Sequence, residues 1–196
     1  MLRPLLCSFL ALLPFTASAQ SLVPPVKDPA VSIVVFAAFD CGYCAQSQAM
    51  LDTLKQKYAG KLSIAFKHFP VDLSETGVLP HEAALAAAEQ GQFIAMHDAL
   101  FAKGSPRDRR GIEKLAAELK LDLGRFRDDL DRHAGRARID ADRREAEGFG
   151  VKVTPTFYVQ GFKLEGLHNI DVFTQIIDHQ LASDSIRPEV PAGGAP

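Results

Sequence analysis

The chain has 196 residues, 47% of them hydrophobic, with 22 Lys and Arg against 24 Asp and Glu and a formal charge of −2. That length suits one domain, or one domain carrying an insertion, and the hydrophobic fraction can fill its core. The near-neutral charge argues against nucleic acid as a partner.

The chain opens Met1-Leu2-Arg3, runs through an apolar stretch at 5–15 and reaches Ala17-Ser18-Ala19. A basic start, a short apolar run and an A-x-A pattern form the layout of a secretory signal. The expectation is that residues 1–19 are removed and Gln20 leads the mature chain. Removing Arg3 leaves 21 basic against 24 acidic residues, a mature charge of −3. The apolar stretch is too short to span a bilayer comfortably, and no later run reaches ~18 residues. A lipid anchor on Cys7 fits poorly, since bulky Leu5 and Leu6 precede it.

Residues 20–30, with Pro24, Pro25 and Pro29, read as an extended arm. Residues 31–39 are a continuous apolar run, β-branched at first, as in a strand buried on both faces. Phe39-Asp40-Cys41-Gly42-Tyr43-Cys44 follows. The spacing of Met50, Leu51, Leu54 and Tyr58 then predicts a helix over 45–58, stopped by Gly60. Leu62-Ser63-Ile64-Ala65-Phe66 reads as a second strand, ended by Pro70. This β–α–β unit should be right-handed, with the cysteines at its first turn, where sites form in open α/β sheets.

From about Pro80 the composition shifts to helix formers. The Ala-rich stretch 81–102 carries Phe93, Ile94, His97, Leu100 and Phe101 at helical spacing, with Gly91 as a weak point where it can divide. After Gly104-Ser105-Pro106, a helix is marked by Ile112, Leu115, Ala116 and Leu119. Asp122 can cap the next, with Leu123, Phe126 and Leu130, and 136–147 gives one more, closed by Gly148 and Gly150. Thr156-Phe157-Tyr158-Val159, a Gln160-Gly161 turn and Phe162-Lys163-Leu164 form a hairpin. Ile170, Phe173, Ile176, Ile177 and Leu181 mark a terminal amphipathic helix. The expected organisation is an α/β domain made of 31–75 and 149–183, an all-helical insertion at 76–148 and a flexible tail at 184–196.

Three cysteines are present, and only Cys41 and Cys44 belong to the expected mature chain. So short a loop constrains almost nothing in the unfolded chain, so the pair reads as chemistry more than as a staple. At a helix N-terminus, unpaired N–H groups and the macrodipole favour a thiolate, which makes Cys41 the candidate nucleophile. Cys44, one turn further in, is the candidate resolving thiol. Asp40 suits the N-cap but its charge opposes a thiolate beside it; Gly42 brings no side chain and Tyr43 no charge. Two other readings stand beside this one. The pair can be half of a zinc site, although the six histidines are scattered and none forms an H-x-x-x-H pair. It can also be an inert disulfide.

A second element is Val153-Thr154-Pro155-Thr156-Phe157. A trans proline there marks an edge strand. A cis bond would instead present the Thr154 backbone to an extended peptide beside Cys41. His97 shares an apolar face with Phe93, Ile94 and Leu100 and reads as a packed core histidine more than an acid–base group. Lys67 and His68 end the second strand near the site edge, as supporting groups or as surface residues. Between positions 107 and 147, twelve Lys and Arg face eleven Asp and Glu, which reads as a solvated face with i,i+4 pairs.

These residues in order resemble a DsbA-type member of the thioredoxin superfamily, over about residues 31–181. The resemblance rests on Cys41-Gly42-Tyr43-Cys44 after a strand, Lys67-His68-Phe69-Pro70, Gln90-Gly91-Gln92-Phe93 with Met96-His97-Asp98 and Leu100-Phe101, and Gly150-Val151 with Thr154-Pro155-Thr156-Phe157 and Gly161. It implies a thioredoxin fold with an inserted helical domain, in the bacterial periplasm. It implies Cys41 as attacking cysteine, Cys44 as resolving cysteine and a cis Pro155 preceded by Thr154. No metal or organic cofactor is implied. The partners expected are reduced or misoxidised client proteins and a membrane or periplasmic redox partner, with the chain itself a monomer.

Three features depart from the pattern. Gly42-Tyr43 is similar to the dipeptide of DsbC-type isomerases and not to the Pro-His of the best-known oxidases. Only about ten residues of the expected mature chain precede Val31, too few for an isomerase's dimerisation domain. The run 31–39 holds no buried ionisable group, so protons must reach Cys44 by water or from elsewhere. The expected function is disulfide donation to client thiols. The same pair run backwards gives a reductase or isomerase. A non-catalytic chaperone or metal-handling protein is the reading from another class, with copper disfavoured by the scarcity of Met.

Overall fold

The computed structural model describes residues 20–24 and 26–185. The expected signal segment, Cys7 and most of the expected tail lie outside the described residues. Five strands form one sheet: β1 (Gln20–Ser21), β2 (Val31–Ala37), β3 (Leu62–His68), β4 (Thr156–Val159) and β5 (Phe162–Glu165), in the spatial order β1-β3-β2-β4-β5. The apolar run sits at the centre of this sheet because it is buried on both faces. Ile33, Val35 and Ala37 join the main core, whereas Val34 and Phe36 join a second core with Ala146 and Val151. β2 runs parallel to β3 and antiparallel to β4, so the end of β2, the end of β3 and the start of β4 meet at one edge.

Seven helices complete the described chain: α1 (Gly42–Lys57), α2 (Glu75–Ala88), α3 (Phe93–Phe101), α4 (Arg109–Glu118), α5 (Leu123–Asp131), α6 (Arg136–Gly148) and α7 (Ile170–Ser185). The main core runs from β2 and β3 to Leu51 and Leu54 of α1, Phe173 and Ile177 of α7, and the helical block. Phe157 of β4 meets Phe173 edge-on at 5.0 Å, which ties α7 to the sheet. The α/β class, the thioredoxin fold and its helical block between β3 and β4 agree with the sequence reading.

Within the expected extended arm, Gln20 and Ser21 pair antiparallel with Phe66 and Ala65 of β3 as an edge strand too short to give a periodic signal. Three local expectations need correction. The first helix of the block begins at Glu75, before Pro80, since Ser74 caps it by accepting from Gly77 N–H at 3.4 Å. Burial of every residue from Gly77 to Ala87 then outweighs the backbone bond that Pro80 removes. Gly77 has no room for a side chain, because a Cβ there would lie 2.3 Å from the Asp72 carbonyl oxygen. Helix α7 runs through Ser185, two residues into the expected tail.

The third correction concerns the solvated face expected of the charged helices, and it begins at Lys67 and His68, whose burial selects the supporting role of the two read for them. Lys67 Nζ lies 2.7 Å from Glu145 and 3.4 Å from Asp142, and Asp142 also accepts the His68 backbone N–H at 2.9 Å. Arg138 reaches the same carboxylate at 2.9 Å. This network fastens α6 to the rim of the sheet. Asp142 is therefore not part of a solvated face, although Arg109–Glu113, Lys114–Glu118 and Arg132–Asp128 are i,i+4 pairs of the expected kind. Removing one member of a buried pair costs about 3–5 kcal/mol. Denaturant unfolding of Asp142→Ala should show a loss of that order, and Glu145→Ala, at a partly exposed position, a much smaller one. Equal effects would contradict this description of the network.

Candidate active site

Cys41 is the N-cap residue of α1, with φ −87° and ψ 114°. Its Sγ accepts the Cys44 N–H at 3.3 Å, the bond that an Asp or Ser oxygen makes at an ordinary cap. Asp40, suited by type to that role, is exposed, and the cap falls one residue later. The Cys41 thiol donates to the Thr154 carbonyl at 3.2 Å, across 113 positions of sequence. β4 makes this meeting possible. Antiparallel pairing of Thr156 with Phe36 brings the loop before β4 to the end of β2. The Thr154–Pro155 bond is cis, and Gly166 N–H fixes the Pro155 carbonyl from beyond β5 at 2.7 Å.

The two cysteines differ in environment. Cys41 is half-buried and Cys44 is fully buried. Burial pushes the Cys44 thiol well above its usual range, and hydrogen bonds from the Ala38 backbone and the Thr154 side chain offset this only in part. Gly42 and Tyr43 are exposed, and a side chain at Gly42 would meet nothing within 4 Å. Packing therefore does not dictate the residue there. Among the described residues, no group of three or more His, Cys, Asp or Glu is placed to hold a metal ion.

A buried cage beneath Cys41 went unread in the sequence. The Phe39 ring is surrounded by His81 and Phe101 at 4.8 Å, Phe66 at 5.4 Å, His97 at 5.9 Å and His68 at 6.4 Å. Arg107 donates to the Phe39 carbonyl from the loop between α3 and α4. His97 is the packed core histidine expected, with its Nδ1 2.9 Å from Asp98. The Nδ1 atoms of His68 and His81 lie 2.9 Å apart, so one ring must donate and the other accept. The signal was present only in part. Phe39, His68, His97 and Phe101 each stood in a noted motif, but nothing local joins them to His81 or Arg107.

A family model described as Thioredoxin matches residues 27–179. The chain belongs to the thioredoxin family. Within that superfamily its fold is that of the DsbA-like thiol–disulfide oxidoreductases. A thioredoxin-like oxidoreductase from Silicibacter pomeroyi is 25% identical, with a TM-score of 0.76 over 85% of this chain and 94% of that one. Wolbachia pipientis α-DsbA1 superposes with a TM-score of 0.77 at 20% identity, over 89% of this chain and 96% of its own. A periplasmic thioredoxin-like protein from Salmonella enterica gives 0.67 at 24% identity, over 83% and 90%. The Na(+)/H(+) antiporter NhaA 3 of Salinispora tropica is 35% identical over 164 residues, covering 83% of this chain. The chain spans only 25% of that antiporter's length. Among the described residues, no helix of this thioredoxin-family protein is long and apolar enough to cross a membrane.

The histidine pair gives a pH dependence. Burial, reinforced by Arg107, lowers His81 to about 3, and burial with His81 beside it lowers His68 as well. An unfolded histidine titrates near 6.5, so below that pH the unfolded chain binds more protons than the folded one. The stability is present above about pH 6.5 and is lost as pH falls toward the folded values. Between pH 6 and 5, above most carboxylate titration, unfolding free energy should drop by about 1.2 kcal/mol for each such histidine. A flat denaturation profile across that range would contradict a neutral pair.

Proposed function

We propose that this protein is an exported thiol–disulfide oxidoreductase that donates a Cys41–Cys44 disulfide to reduced client proteins. One observation carries the reading. The half-buried Cys41 sulfur sits at the N-cap of α1, between the Cys44 N–H and the Thr154 carbonyl. A client thiolate attacks Cys41 Sγ, the S–S bond breaks, and its electron pair goes to Cys44, which takes up a proton. A mixed disulfide now joins the client to Cys41. A second client thiolate attacks the client sulfur of that bond, and Cys41 departs as a thiolate. The client has lost two electrons, and the pair must pass them to a membrane or periplasmic redox partner.

Burial of Cys44 supports donation over the reverse direction. A thiol held in its protonated form attacks the mixed disulfide slowly, which leaves time for the client's own second thiol. Exposed apolar side chains also suit an unfolded client. Tyr43, Val153 and Leu167 are 61%, 46% and 43% exposed on segments at the site edge, and Val71 and Leu73 follow β3 at the same edge. A client strand beside Thr154 and Pro155 would find both main-chain partners and these apolar contacts. The Gly42-Tyr43 dipeptide keeps a reductase or isomerase role as the second reading. Periplasmic location is supported by the signal-like N-terminus and by the periplasmic Salmonella relative. The same reading divides the chain into a thioredoxin-like domain at 31–75 and 149–183 and a helical insertion at 76–148, acting as a monomer, with α2 beginning at Glu75 and α7 ending at Ser185.

Mixing the oxidised protein with a reduced, unfolded two-cysteine client should give one client disulfide per protein disulfide consumed. Cys41→Ser should abolish transfer. In the reverse assay, reduced Cys44→Ser should accumulate a mixed disulfide at Cys41 that non-reducing gels resolve. Oxidised wild-type protein that leaves the client thiols unchanged would overturn the assignment and leave the chaperone or metal-handling reading.

A further inference from the structure

The Phe39 cage holds one charge that the exchange chemistry above does not use. Arg107 enters from the loop between α3 and α4, and its Nη2 donates to the carbonyl oxygen of Phe39, two residues before Cys41. Its Nη1 is buried and meets no acceptor among the described residues. No Asp or Glu of the described residues forms an ion pair with it, although Arg109 two positions on pairs with both Glu113 and Asp131. The two acidic residues nearest in sequence to the contact, Asp40 and Asp108, are both exposed. The guanidinium lies instead close enough to His81 to oppose its protonation. The two groups that it meets, the Phe39 carbonyl and the buried His81 ring, offer no anion. A partly buried cation without a counter-charge is costly, and a purely structural hydrogen bond to one carbonyl does not need the charge.

The anion that this site does generate is on the turn Arg107 holds. Reduction of the Cys41–Cys44 bond yields a Cys41 thiolate during exchange, and a nearby cation favours an anionic sulfur. We propose that Arg107 is a positioning residue that pins the β2–α1 turn and, through its charge, favours the reduced state of the pair, making the disulfide a stronger oxidant. This inference rests on the thiol–disulfide exchange reading. It assigns the helical block a part in setting redox poise, in addition to its packing role. The sense of the effect follows directly. Whatever stabilises the reduced form drives the disulfide toward donation.

The test is equilibrium with glutathione. Two glutathione thiols become one glutathione disulfide as the Cys41–Cys44 bond is reduced, and alkylation followed by mass measurement reads the protein's disulfide fraction. Wild type, Arg107→Lys, Arg107→Gln and Arg107→Met are compared at pH 7 as full mature chains, with denaturant midpoints measured in parallel. Arg107→Met and Arg107→Gln should shift the constant about tenfold toward the protein disulfide, equivalent to about 30 mV, while Arg107→Lys stays within about threefold of wild type. Glutamine keeps an N–H donor without the charge and lysine keeps the charge, so the two variants together separate charge from hydrogen bonding. Neutral variants within about twofold of wild type would overturn the proposal, as would glutamine matching wild type while methionine shifts. If Arg107→Met does not fold, the glutamine and lysine variants decide alone. A wild-type pair that never equilibrates with glutathione overturns the exchange reading itself, and this inference with it.

Discussion

A sulfur atom caps the first helix of this protein, and much of the architecture keeps it there. At an ordinary N-cap, an oxygen accepts the first free N–H groups and stays chemically inert. Here Cys41 Sγ accepts the Cys44 N–H, so the group that satisfies the helix end is also the proposed nucleophile. The cap must therefore be formed and reactive at once. β2 delivers it as a rigid, doubly buried strand, and the loop before β4 approaches from the other side with the Thr154 carbonyl. Each of these elements is needed because neither backbone nor sulfur alone fixes the geometry.

Polar groups buried around this site follow a consistent logic. Lys67 and Arg138 converge on Asp142, which also receives a backbone N–H at the end of β3. The network is costly to desolvate and costly to break, and it locks the rim of the sheet against α6. On the opposite face, His68, His81 and His97 act as aromatic packing for Phe39 and stay neutral for the same reason, burial. The helical block is therefore joined to the site through both side chain and carbonyl of the residue that leads into the Cys41 turn.

The fold was legible wherever the pattern was local. The apolar run of β2, the Gln160-Gly161 turn and the Asp122 cap can be read directly, and the last two fix the β4–β5 hairpin and the start of α5. Local rules failed where tertiary packing overrode them. Pro80 argued for a helix start, but a buried helix absorbed it; Lys67 could be read as a surface or a supporting residue, and two carboxylates from a distant helix make its burial tolerable. The two cysteines and the Thr154-Pro155 pair were visible as motifs, while their meeting required the order of strands. The Phe39 cage draws on β2, β3, α2, α3 and a loop, and no single segment of sequence carries it.

Chemistry at Cys41 follows from the cap, whereas its direction depends on the small free-energy difference between disulfide and dithiol. About 30 mV corresponds to ~1.4 kcal/mol, comparable to a single hydrogen bond or one partly screened charge. In the proposed account, that balance is set by Cys44 burial, the Thr154 contacts, the exposed Gly42-Tyr43 dipeptide and the charge of Arg107 together. The most direct test is the redox state of the pair in intact cells, obtained by quenching with acid, alkylating free thiols and separating the products by mass. Disulfide donation predicts that Cys41 and Cys44 are mostly joined at steady state. A pair found mostly as free thiols would contradict donation and assign the protein to reduction or isomerisation.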